Sequence, residues 1–211
     1  MENVNPTRMA LLATKAQLSL AEQGRDLLKE KRNALMKEFM KIADQVMRDS
    51  DELEQAAADA HRALARAEVL DGAEAVRSAA FAAQAELTLS VEGAFVMGVP
   101  VPIIEQKSAA RAVIDRGYSL SGTSARIDEA AERFEAEIDL LIELASSELR
   151  LRRLAEEIRK TSRRVNALEN ILIPRLHERK RYIAMVLEEH AREDLFRLKT
   201  VKRANLEKRA L

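Results

Sequence analysis

The sequence predicts an all-α protein: a long antiparallel two-helix coiled coil with a small head containing a short helix and a β-hairpin. Three observations predict it. Stepping by alternating fours and threes from Leu11 to Leu70 visits eighteen positions, of which only Thr14, Arg25, Arg32 and Asp49 are not apolar. A second stretch beginning at Phe134 keeps similar spacing, and between the two lies a segment whose apolar period shortens to two. A 3.5-residue repeat held this long puts a narrow seam on one side of a helix and calls for a partner helix. At helical rise the first stretch makes a rod of roughly 90 Å, longer than a compact core requires.

Composition agrees. Of 211 residues, 33 % are charged and 3 % aromatic, with six Gly and four Pro, the profile of long helices. Formal net charge is zero, so no global field draws the chain to nucleic acid or membrane. Locally the charge is uneven: residues 38–92 hold twelve acids and five bases, and residues 150–182 hold eleven bases and four acids. The last fifteen residues carry six bases and one acid. There is no cysteine, which removes disulfide and thiolate chemistry. The start, Met1 to Pro6, lacks signal-peptide character. The longest uncharged run, Gly93–Ile104, is too short to span a bilayer, which takes about 20 residues. The expectation is a soluble, cytoplasmic protein.

Three segments are expected. Residues 1–71 form the N-terminal coiled-coil helix, with Asn5 as N-cap and Pro6 in the first helical position, ending at Asp71-Gly72. Residues 72–124 form the head: an Ala-rich helix from Ala73 to about Gln84, then a hairpin. Its strands are expected at Leu87–Val91 and Ala94–Val99, with the turn at Glu92-Gly93. Pro100 and Pro102 confine the second strand to an edge, and residues 105–124 are a loop whose serines and threonine can cap the next helix. Residues 125–211 form the C-terminal helix, with a seam of Phe134, Ile138 and Leu141. A slip at Ser147-Glu148 precedes Leu151, Leu154, Ile158, Thr161, Val165, Leu168 and Leu172. Pro174 predicts a kink there, costing about 3 kcal/mol. Pairing Leu70 with about Ile127 places Leu11 opposite about Leu187 and leaves a basic C-terminal tip.

Alternative readings stand beside several residues. Arg25 and Arg32 either lay their stems along the seam, set register against acids of the second helix or face a partner subunit, and Asp49 is placed to pair with Arg152 or Arg153. Phe95 and Met97 either form a small core or offer a docking surface. Gly93-x-x-x-x-Gly98 begins like a phosphate loop, but Val99-Pro100 stand where Lys and Ser or Thr are needed. His61, His177 and His190 lack metal-ligand spacing, and no catalytic triad can be assembled from the spacing. The basic stretches have too few aromatics to stack bases. No catalytic, cofactor or metal residue is assigned.

Several pieces together resemble the D subunit of the V-type and A-type rotary ATPases. They are Pro6, Thr7 and Arg8; Leu28 to Arg32; and Met97 to Pro102. They continue with the Arg163, Arg164, Val165, Asn166, Ala167, Leu168, Glu169 run, then Pro174, Tyr182-Ile183 and Leu195 to Lys199. The resemblance covers the whole chain, departing at Leu172 and His177. It implies a central-stalk rotor shaft with no catalysis of its own and no cofactor, peripheral to a membrane within a complex that makes or hydrolyses ATP and moves ions. Its partners would be the F subunit, the catalytic A and B subunits and a funnel-shaped subunit above the membrane rotor. Arg8, Lys15, Lys199, Lys202 and Arg203 would meet carboxylates of the catalytic ring. The competing reading is a coiled-coil strut such as the flagellar export stalk.

Overall fold

The computed structural model describes residues 5–84, 86–106, 108–119 and 122–210. The first four residues, and Leu120 and Ser121 of the expected capping loop, lie outside them. The elements in order are α1 (Arg8–Asp71), α2 (Ala73–Ala82), β1 (Leu89–Val96), β2 (Val99–Gln106), a 3₁₀ turn (Val113–Arg116), α3 (Ala125–Ala167), a π turn (Leu168–Leu172) and α4 (Ile173–Ala210). Helices dominate and the only sheet among the described residues is the hairpin, so the all-α class with its small β-hairpin holds.

Residue contacts divide the chain into two compact units. One joins Met1–Asn33 to Arg159–Leu211, and the other is Ala34–Ile158. In the first, α1 and the second helical stretch run antiparallel: Lys29 meets Glu169 and, further toward the N-terminus, Glu22 meets His177. Leu18, Ala21, Ile173 and Leu176 form its core. In the second unit Ala67 packs with Ile127, Val76 and Ala79, and toward the other end Leu35 and Ile42 pack with Leu154 and Ile158.

The apolar stripe of α1 is the buried face. Of its eighteen positions every one is buried or half-buried except Leu70, which is exposed. The seam therefore ends at Ala67, and Ala67 rather than Leu70 sits with Ile127. The helix start also differs by two residues. Thr7, not Asn5, is the N-cap: the Ala10 N–H donates to Thr7 Oγ1 at 3.0 Å, and Pro6 precedes the cap.

The hairpin turn is displaced from Glu92-Gly93 to Met97-Gly98. Val96 pairs with Val99, and Gly93 stands inside the ladder opposite Pro102. Met97 and Gly98 have φ of +51° and +78°, as a type I′ turn requires, and that turn matches the natural strand twist. Glycine fits the second position freely, whereas Met97 strains in the first. Met97→Asn is expected to stabilise the protein by about 0.5–1 kcal/mol, read as a higher urea midpoint with unchanged slope.

The prolines follow from ladder parity. The pair flanking a two-residue turn exchanges hydrogen bonds, and pairs alternate from there. Pro100, opposite Phe95, and Pro102, opposite Gly93, thus occupy positions whose N–H would point off the outer edge. The next such residue, Ile104, does have an N–H, and it donates to Ser146 Oγ on α3 at 3.3 Å.

Ala94, Val96, Val99 and Val101 share one face of the hairpin and pack on Leu35, Phe39, Ile42, Val46, Leu151, Leu154 and Ile158. The hairpin therefore lies along α1 and α3. This second neighbour alters the seam of α3. Ile138 and Leu141, expected on it, are 39 % and 51 % exposed, while Glu137, Leu140 and Leu144 are half-buried and Ser147 is fully buried. The slip in phase thus lies before Ser147, between Glu137 and Leu144.

Candidate partner surfaces

A second stripe on α3, Glu135, Asp139, Ile142 and Ser146, fastens the segment that returns from the hairpin. Its spacing of four, three and four puts all of them on one face. The three polar members each accept a backbone N–H, Glu135 and Asp139 from that segment and Ser146 from β2. Arg111 N–H donates to Glu135 Oε2 at 3.1 Å, Ala109 N–H to Asp139 Oδ1 at 2.7 Å and Ile104 N–H to Ser146 Oγ at 3.3 Å. Backbone donors that no strand pairs are satisfied by side chains instead.

Arg116, at the end of the 3₁₀ turn, is buried against Glu135. Its Nε donates to Glu135 Oε1 at 3.1 Å and its Nη2 to Oε2 at 2.8 Å, the paired geometry that makes such bonds strong. Nη1 donates to the Asp128 carbonyl at 3.3 Å, and Tyr118 Oη donates to Asp128 Oδ1 at 2.6 Å. Burial works to raise the Glu135 pKa, but the Arg116 guanidinium and the Arg111 N–H outweigh it and hold the carboxyl below the usual range. The Glu135 partnership pushes the Arg116 pKa up, and burial with the Asp128 bond raises that of Tyr118. Gly117 passes so close to α2 that a Cβ would stand 2.6 Å from the Ala82 carbonyl oxygen, at φ +84°. Only glycine fits. Sequence reasoning missed this cluster because Arg116 and Glu135 are 19 residues apart. The polar 4–3–4 spacing on α3 was its one visible trace.

The other face of the hairpin is apolar and open. Phe95 is 77 % exposed and Met97 54 %, so they form no core of their own. Leu89 and Val91 of β1 are exposed beside them.

The Arg163–Glu169 run divides by face. Val165 is buried, Leu168 is half-buried, and Arg163, Arg164, Asn166 and Ala167 are exposed. Glu169 accepts from Lys29 Nζ at 2.8 Å, and that bond draws its pKa down. Pro174 does not simply kink the helix. The preceding turn widens to π geometry, in which Ile173 N–H reaches the Leu168 carbonyl. Leu172, expected in the seam, is consequently exposed and Ile173 takes its place.

Arg8, Lys15, Lys199, Lys202 and Arg203 are all exposed, as are Leu195, Phe196, Leu198 and Val201 on the same stretch of α4. Arg25 pairs with its neighbour Asp26 at 2.8 Å, and Arg32 is half-buried. Asp49 does not pair as expected. Arg152 and Arg153 lie on the exposed side of α3 and reach Glu156, leaving Asp49 Oδ2 buried without a hydrogen-bond partner. His61 sets its ring edge-on to Phe134, centroids 5.6 Å apart. His177 meets Glu22, and His190 meets Glu193. Gly93 and Gly98 belong to the hairpin, not to a loop that opens a helix. Among the described residues no His, Cys, Asp or Glu cluster could hold a metal ion, and no helix is long and apolar enough to cross a membrane.

Charge follows the two units. Met1–Asn33 with Arg159–Leu211 holds 21 bases and 11 acids, whereas Ala34–Ile158 holds 14 bases and 24 acids.

Paired long helices define the class: a helical protein whose recessed polar groups fasten its own hairpin while apolar and basic groups stand on its surface. Residues 10–203 match the profile of the family described as the ATP synthase D subunit. The D subunit of the A-type ATP synthase of Methanobrevibacter smithii is 44 % identical over 99 % of this chain and 90 % of its own length. That of Thermococcus kodakarensis is 45 % identical over 95 % and 94 %, and that of Haloarcula marismortui 41 % over 95 % and 87 %. The chain belongs to the family of ATP synthase D subunits. It is therefore a component of a multi-subunit rotary ATPase complex.

Proposed function

We propose that this chain is the central-stalk rotor shaft of a V/A-type rotary ATPase or ATP synthase. It would carry torque between the membrane ion-translocating ring and the catalytic A/B hexamer while forming no covalent bond itself. Family membership supports this reading. The observation that carries it is the seam of α1, buried or half-buried at every position from Leu11 to Ala67. An element that transmits torque must resist bending, and a helix backed along its length does so better than a lone one.

Such a shaft must also favour different states of several catalytic sites at different angles, which needs faces that differ, because equal affinity for every state shifts no population. The uneven charge supplies them. Arg8, Lys15, Lys199, Lys202 and Arg203 meet carboxylates of the catalytic A and B subunits, each contact contributing about 0–1 kcal/mol at an exposed site. Contacts this weak let a bearing turn. Phe95 and Met97 dock on a neighbouring subunit. The F subunit and a funnel-shaped subunit complete the partners, and the chain sits peripheral to the membrane.

The chain has no cysteine, so introduced thiols are unique labels. In the reassembled complex, Lys199→Cys is paired with a cysteine on the facing catalytic subunit. Oxidation is expected to stop ATP hydrolysis and reductant to restore it. Full coupled activity with the cross-link in place would refute the rotor reading.

A further inference from the structure

The second helical stretch contains one residue more than a regular helix would use. Its buried positions run Leu154, Ile158, Thr161 and Val165, in steps of four, three and four, and half-buried Leu168 follows. The same rhythm continued would land on Leu172, Arg175, Arg179 and Tyr182, of which Arg179 is half-buried and the other three are exposed. The buried residues are instead Ile173, Leu176 and Ile183, each one position later. The shift arises in the π turn, whose hydrogen bond from Ile173 N–H to the Leu168 carbonyl spans five residues rather than four. Ion pairs to α1 count the same extra residue. Glu22 and Lys29 are seven apart, whereas their partners His177 and Glu169 are eight apart.

We propose that the π turn is a phase adapter held by the side chains of α4, and that Pro174 accommodates it without causing it. A purely α-helical path would rotate everything after Leu168 by about 100°. Arg175 would then enter the place of Leu176, and Tyr182 that of Ile183. Burying an arginine there without a partner is far costlier than widening one turn. The adapter also sets which residues of α4 face outward. Under the rotor reading it therefore decides which side chains meet neighbouring subunits, though the inference does not depend on that reading.

The full chain carrying Glu22→Cys and His177→Cys reports the phase beyond the turn through a short bis-maleimide cross-link. Adding Pro174→Ala is expected to leave the cross-link yield unchanged, because the seam still demands the extra residue. Deleting Leu172 in the Pro174→Ala background is expected to keep the cross-link and to shift Tm by less than about 3 °C, since a regular helix then delivers Ile173 and Leu176 to the seam. Inserting one alanine after Leu172 should lower Tm by about 10 °C or more. Loss of the cross-link in the folded Pro174→Ala chain would overturn the proposal. So would a deletion as damaging as the insertion.

Discussion

Replacing Glu135 with alanine is expected to cost about 3–5 kcal/mol of folding stability, the usual effect of removing one partner from a buried ion pair. Arg116 would keep its charge, with 4 % of its surface exposed, and lose both bonds to the carboxylate. The Arg111 N–H would lose its acceptor in the same substitution. Chemical denaturation should show a lower midpoint. Hydrogen exchange should show the loss concentrated in residues 108–119, because Glu135 fastens that segment from two points. A pH series separates charge from packing. The Glu135 pKa is depressed in the folded protein, so its contribution is complete above the unfolded value of about 4.3 and is lost as pH falls through the lower folded value. Wild-type stability should therefore drop more steeply than that of Glu135→Gln below about pH 4.3. Equal slopes would show that the pair contributes no pH-dependent stability.

Leu35→Ala should cost about 2–5 kcal/mol, as full truncation of a sealed leucine does. Leu35 has no exposed surface and shares its cluster with Leu154, Ile158, Val99 and Val101. One methyl-bearing side chain therefore serves both the pairing of α1 with α3 and the seating of the hairpin. Thermal unfolding should fall by roughly 2–4 °C for each kcal/mol lost, for a chain of this size. Amides of β1 and β2 should exchange faster in the same variant. Leu27→Ala, at a site 66 % exposed, is the control and should change stability by less than about 0.5 kcal/mol.

Period carried most of the fold in the sequence. The stripe from Leu11 to Ala67 is set by solvent exclusion along one helix face, which spacing alone expresses. What spacing could not express was competition for a face. Ile138 and Leu141 continue a plausible seam, but the segment returning from the hairpin claims α3 from another side and the helix packs Leu140 and Ile142 instead. The turn was misplaced because Glu92-Gly93 has turn composition, whereas register depends on where both central residues can take positive φ. Pro100 and Pro102 were legible as edge residues, and their parity with Ile104 explains why the edge they guard can lie against α3. Arg116 and Glu135 left little trace, since a contact between a loop and a helix has no period. The π turn left a trace only beyond it: the four-residue step from Leu168 meets apolar Leu172, but the next step meets Arg175, with apolar Leu176 one residue later. The surface residues assigned to partners depend on shapes this chain does not contain.

The sorting of acids and bases has a consequence for handling the protein. A formal charge of zero ordinarily marks a molecule near its solubility minimum that no ion exchanger retains. Here a surplus of ten bases in one unit is offset by a surplus of ten acids in the other, so the chain is a zwitterion on the scale of whole units. In dilute buffer it should bind both anion and cation resins, and one molecule's cationic unit should attract another's anionic one. Physiological salt, with a screening length of about 8 Å, suppresses that attraction and keeps the chains apart.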